Sequence, residues 1–143
     1  MRLSNLTWPK AEEYFRTHDT VLIGVGSIEC HGRHMPLGTD TLIPDFLLDK
    51  IEQKSDVLIC PTIPYGATES LCDYPGTINL GTELLYQVLG RVCDSLFQHA
   101  PAASSSSTAT AATSSPSTGW AMTSSARAVS WLTMESLSPS SIS

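Results

Sequence analysis

Two hydrophobic rhythms alternate over the first 99 residues. Apolar residues run almost without interruption in "TVLIGVG" (Thr20–Gly26) and "DVLICPTIP" (Asp56–Pro64). Short apolar runs closed by Gly or Pro predict buried strands, the second stopped by Pro61 and Pro64. Between and around them the spacing becomes helical. Thr7-Trp8-Pro9 opens a helix to about His18, with proline in its first turn. In "TLIPDFLLDKIEQK" (Thr41–Lys54) the residues Ile43, Phe46, Leu47 and Ile51 share one face, and Pro44 fits a first turn. "GTELLYQVLGRVCDSLFQH" (Gly81–His99) predicts a long amphipathic helix with Thr82 as its N-cap. Strands alternating with helices predict an α/β fold with a mostly parallel sheet and crossover helices.

The rhythm ends at His99. From Pro101 to Ser143, 29 of 43 residues are Ser, Thr or Ala, and Arg127 and Glu135 are the only charges. Neither a period of 2 nor one of 3.6 survives, which predicts a disordered tail. The chain therefore divides into a domain over 1–99 and a tail over 100–143. The tail is unusual for a linker, because Gly, Glu, Lys and Gln are scarce in it. It also begins where the αβ alternation calls for another buried strand.

Length changes this picture little: 143 residues suffice for one domain with a core and not for two. A net charge of −6 argues against nucleic acid as a partner, since phosphate binding wants a basic face. The start, MRLSNLTWPKAEEYF, has no apolar signal region, and no run approaches the roughly 20 apolar residues that cross a bilayer. No membrane partner is expected. Cys30, Cys60, Cys72 and Cys93 form no CxxC pair, so reduced thiols and a cytoplasmic location are expected.

The densest chemistry lies in "SIECHGRHMPLGTD" (Ser27–Asp40). Glu29 and His31 are two residues apart just after the first strand, so an extended backbone projects both to one side. Asp40 follows a loop containing Pro36 and Gly38 and heads the next helix. These groups surround the carboxyl end of a strand, where parallel α/β sheets bind ligands. Mixed nitrogen and oxygen donors suit Zn2+ or Mn2+, and three protein ligands leave room for a water that the metal acidifies. Taken singly the residues read more plainly: His31 as a hydrogen-bonded loop residue, Asp40 as an N-cap, Glu29 as solvated. Cys30 beside His31 points to the opposite face of a strand, which disfavours a thiol–imidazole pair. "GVGS" (Gly24–Ser27) offers a phosphate-cradling turn, but lacks the third glycine of a dinucleotide fingerprint. Two other functions thus stand beside a metal enzyme: a non-catalytic metal- or ligand-binding module with a disordered tail, and a nucleotide-binding domain.

"VLIGVGSIECHGRHMPLGTDT" (Val21–Thr41) closely resembles the signature of the creatininase (creatinine amidohydrolase) family, a strand followed by G-S-x-E-Q-H-G-P-H-L-P-L-G-T-D-T. Cys30, Arg33 and Met35 stand where that pattern has Gln, Pro and Leu, while Glu29, His31, His34 and Asp40 match. "PTIPYGATES" (Pro61–Ser70) and "YPGTINL" (Tyr74–Leu80) resemble the next two segments, so the likeness covers nearly all of 15–99. The resemblance implies a truncated three-layer α/β/α fold and hydrolysis of a non-peptide C–N bond in a cyclic or small amide. It implies Glu29, His31 and Asp40 as ligands of Zn2+ or Mn2+, with Asp40 bridging two ions, and His34 in the substrate pocket. It also implies a homo-oligomer for the intact protein and a small-molecule amide as its partner. The departures at Cys30 and Arg33 bear on substrate and loop shape rather than on the ligands.

Family members continue with a buried strand and N-G-H-G-G-N, whose histidine completes the metal site; this chain reads "APAASSSSTATAAT" over Ala100–Thr113. Writing G-A-R-R-F-V-I-L-N-G-H-G-G-N in common GC-rich codons and reading it one base late gives all fourteen of those residues. The tail is therefore expected to be out-of-frame translation after His99, with Thr110 standing where the family histidine belongs. On that expectation this chain has little activity of its own.

Overall fold

The structure, a computed structural model, describes residues 1–99 and three strand segments beyond them. In chain order the principal elements are helix α1 (Trp8–Thr17), strand β1 (Thr20–Val25), helix α2 (Thr39–Glu52), strand β2 (Leu58–Ile63) and helix α3 (Thr82–Phe97). Strands β3 (Thr108–Thr113), β4 (Thr123–Ser124) and β5 (Arg127–Thr133) follow. One sheet carries them in the order β2-β1-β3-β5-β4, parallel except for the β4–β5 pair. The tail was expected to be disordered, yet three of its segments take strand positions. The free edge of β1 offers a row of backbone donors and acceptors, and Thr and Val are good strand formers. The rest of that expectation falls outside the described residues.

Two layers of helix enclose the sheet. Tyr14 and Phe15 of α1 and Cys93 of α3 pack against Val21, Ile23, Leu58 and Cys60 on one face. On the other face α2 is buried through Pro44 and Leu48, rather than through the face that includes Phe46, which is 59% exposed. The reason is local: Gly24 of β1 leaves space that Leu48 and Thr62 fill, and Thr62 donates its hydroxyl to Asp45. That contact rotates the helix away from its most hydrophobic stripe.

Pro61 does not end β2. The register runs Ile23↔Cys60 and then Val25↔Ile63, so Pro61 and Thr62 together oppose Gly24 in a bulge. A bulge is one of the few places a sheet accepts proline, because the ladder is already interrupted there. Nor does Thr82 cap α3. Gly81 is the cap residue, with φ of 76°, and Thr82 is the first helical residue. The free amide of Thr82 donates instead to Glu69 Oε1 at 2.7 Å, and its hydroxyl to the same oxygen at 2.8 Å. A remote carboxylate thus does the capping, and its negative charge suits the positive end of the helix.

Candidate metal centre

The site begins where β1 runs out. Gly26 donates its amide to the carbonyl of Ile63 at 2.8 Å, keeping the chain in the plane of the sheet for one more residue. A Cβ on Gly26 would lie 2.5 Å from Thr41 Oγ1 and 2.8 Å from the Asp40 carbonyl oxygen, so only glycine lets the chain pass the first turn of α2 this closely. Beyond Ser27 the backbone is held from both sides. Glu29 N–H donates to Leu37 O, and Ile78 N–H donates to Ile28 O, each at 2.9 Å. Cys30 N–H donates to Thr77 Oγ1 at 3.2 Å. Gly32, with φ of 74°, then turns the chain back.

Within this frame Glu29, His31 and Asp40 each place one ligand atom within 4.8 Å of the others. Glu29 and His31 come from the segment after β1, and Asp40 from the first turn of α2, where the cap residue is Gly38 and not Asp40. His31 Nε2 lies 3.4 Å from Asp40 Oδ2, with both side chains largely shielded. That contact lacks hydrogen-bond geometry, and Nε2 is a buried nitrogen with no hydrogen-bond partner. Desolvation by burial, and then the neighbouring Asp40 carboxylate, push the Glu29 carboxyl above its usual range; His31 and Ser27 oppose the shift. A divalent cation resolves both strains, taking the lone pair of Nε2 and neutralising two crowded carboxylates. In a tetrahedral zinc site with bonds of about 2.1 Å, ligand atoms sit about 3.4 Å apart. The His31–Asp40 separation has this value before any ion is placed. The residues present therefore fit Zn2+ or Mn2+.

Other residues fall outside the cluster. His34 is exposed, its ring folded back near Gly32. The thiol of Cys30 does not join the ligand group. The "GVGS" turn has no cradle for phosphate, since Thr62 and Leu48 fill the space over Gly24 and the first turn of α2 fills that over Gly26. Sequence reading passed over Ser27. Its hydroxyl donates to Asp40 Oδ2 at 3.0 Å, and its burial, unusual for serine, is the signal that a sequence does not carry. Among the described residues no helix is long and apolar enough to cross a membrane.

Fold and site together define a three-layer α/β protein that gathers carboxylates and imidazole at the carboxyl edge of its sheet. More particularly, the chain belongs to the creatininase family: the family model described as creatinine amidohydrolase matches residues 4–101. A mycofactocin precursor peptide peptidase of Mycolicibacterium smegmatis is 38% identical over 80 residues, covering 50% of this chain and 32% of its own length. A creatinine amidohydrolase of Pseudomonas putida is 27% identical over 103 residues, covering 68% of this chain and 40% of that protein. A creatininase crystal structure superposes with a TM-score of 0.67 at 24% identity, over 78% of this chain and 44% of that one. Its relatives at TM-score 0.66 include a manganese creatininase and a mutant of Zn-Zn type. The chain thus spans less than half the length of these proteins, whose names are those of amide-bond hydrolases.

Proposed function

We propose that this chain is the amino-terminal part of a metal-dependent amidohydrolase, with Glu29, His31 and Asp40 holding a divalent cation. The observation that carries the reading is the partnerless His31 Nε2, set at ligand distance from Asp40 Oδ2. A cation bound there supplies Lewis acidity, lowering the pKa of water toward neutrality and polarising an amide carbonyl. The protein's part is to fix the donors. The clamp of Leu37, Thr77 and Ile78 holds Glu29 and His31, and α2 holds Asp40. The family resemblance gives Asp40 the role of bridging to a second ion in the complete fold, and exposed His34 would line the approach of substrate. The substrate is a small or cyclic amide, and the peptidase relatives widen that class to a peptide.

The same reading extends to the tail. Out-of-frame translation after His99 is supported by the family match ending at residue 101, beside the break in composition. In the present sheet Thr110 pairs with Leu22, well inside β1 and away from the edge that carries Ser27–Asp40. In a frame-restored chain, an apolar run at 104–107 filling that slot would advance position 110 toward the proposed ligands. Resequencing the DNA around codons 99 and 100 tests this; an in-frame gene encoding the same tail overturns it. Zn2+ and Mn2+ binding and amide hydrolysis are then measured on this chain beside a frame-restored form. Metal binding by both, with turnover in the restored form alone, is expected. No binding by either, or full turnover by the 143-residue chain, refutes the corresponding half of the proposal.

A further inference from the structure

Asp40 faces three groups, and only two of them belong to the ligand set. The third is Ser27, one of two buried polar side chains among the described residues, 7% exposed. Its Oγ donates to Asp40 Oδ2 at 3.0 Å, the same oxygen that stands 3.4 Å from His31 Nε2. Its carbonyl accepts from the Thr41 hydroxyl at 3.1 Å, so Ser27 is tied at both ends to the first turn of α2. It has little freedom to leave. The bare backbone of Gly66 lies against it, where an added Cβ would stand 3.2 Å from Ser27 Cβ and 2.7 Å from the Gly26 carbonyl oxygen.

We infer that Ser27 is a positioning residue for the metal centre: its hydroxyl fixes the Asp40 carboxylate so that Oδ2 meets the cation at its distance from His31. The inference rests on the metal reading given above and adds a residue to it. An Asp side chain in a first helical turn otherwise has more than one rotamer open to it. A hydroxyl donor on one oxygen selects a single rotamer before any ion arrives. Outer hydrogen bonds of this kind commonly change metal affinity by about 10- to 100-fold. The hydroxyl is uncharged, so it orients the carboxylate without competing with the cation for it as an ammonium or guanidinium group would.

The test uses the 143-residue chain. Zn2+ affinity is measured by competition with a chromophoric chelator, the visible spectrum of the Co2+ form reports ligand geometry, and the melting temperature of the metal-free protein reports the fold. Ser27→Ala is expected to weaken Zn2+ binding at least about tenfold and to shift the Co2+ bands, with the metal-free protein still melting cooperatively. Ser27→Thr keeps the hydroxyl and is measured alongside, so that the comparison survives if the alanine variant does not fold. A folded threonine variant with near-wild-type affinity and spectrum agrees with the inference, and one with an alanine-like loss overturns it. Unchanged affinity and spectrum in Ser27→Ala also overturn it. A wild-type chain that binds no Zn2+ sinks the metal reading itself, which is a separate result.

Discussion

As a proposed ligand, Glu29 is asked to do two incompatible things. Burial and the Asp40 carboxylate favour its protonated form, whereas a ligand must be a carboxylate. In the metal-free protein this crowding is a cost, and it is the same cost that makes a cation welcome. Replacing Glu29 by Gln removes the repulsion and keeps the shape. The substitution is expected to raise the stability of the metal-free protein by about 0.5–1 kcal/mol while weakening Zn2+ binding tenfold or more. Thermal melts without metal and chelator competition with it read the two effects separately. If both move the same way, Glu29 is structural and not a ligand. Cys30, by contrast, shares the loop and does none of this work: its amide is used and its thiol is not.

At the scale of elements, the bulge in β2 and the glycine opposite it act as one device. Thr62 fills the space over Gly24, and Leu48 of α2 packs beside it, with a Cβ on Gly24 placed only 3.0 Å from Leu48 Cδ1. Sheet and helix therefore meet through Leu48 and Thr62, with no side chain from Gly24 between them, and this sets how far α2 slides along β1. Asp40 sits at the start of that helix, so its distance from His31 depends on the contact. Gly24→Ala is expected to cost about 1–3 kcal/mol, since overpacking forces the helix outward. Urea unfolding measures this, and a change within 0.5 kcal/mol of zero, as for surface sites, refutes the account. The remote cap on α3 belongs at this scale too. Its own amide and the Thr82 donors hold the Glu69 carboxyl below the usual range, which keeps it charged beside the helix end.

At the scale of the whole molecule, one cluster joins α1, β1, β2 and α3, and two reduced cysteines lie within it. Burial, reinforced by the nearby Cys93, pushes the Cys60 thiol up from about 9 to about 11. A raised pKa stabilises the folded state fully below the unfolded value, and the advantage disappears as pH rises through the folded one. The contribution of this thiol to stability is therefore expected to be flat up to about pH 9 and to fall between pH 9 and 11, by at most about 3 kcal/mol. Urea midpoints at pH 8 and pH 10 check it, and equal midpoints contradict it. Much of this architecture was legible in the sequence. Two apolar runs and three amphipathic segments placed β1, β2 and the helices, and the spacing of Glu29, His31 and Asp40 marked the three side chains that the fold brings together. What was not legible depended on partners distant along the chain. The buried face of α2 is chosen by Gly24 and Thr62, the passage of β2 through Pro61 by the bulge, the cap of α3 by Glu69, and the setting of Asp40 by Ser27. No local pattern announces these.

The loop that braces the ligands has its own anchors, and they divide it in two. Asn79 Oδ1 accepts from the amides of Thr68 and Gly81, each at 2.9 Å, and Glu69 is fastened to Thr82. Between those fastenings residues 72–76 are all exposed, with Tyr74 at the tip. The two ends carry the mechanical duty, and the tip carries almost none. Substitutions at residues 72–75 can therefore leave the spacing of Glu29, His31 and Asp40 unchanged. A scaffold arranged this way separates an exposed stretch that is free to change from the fastenings that must not move.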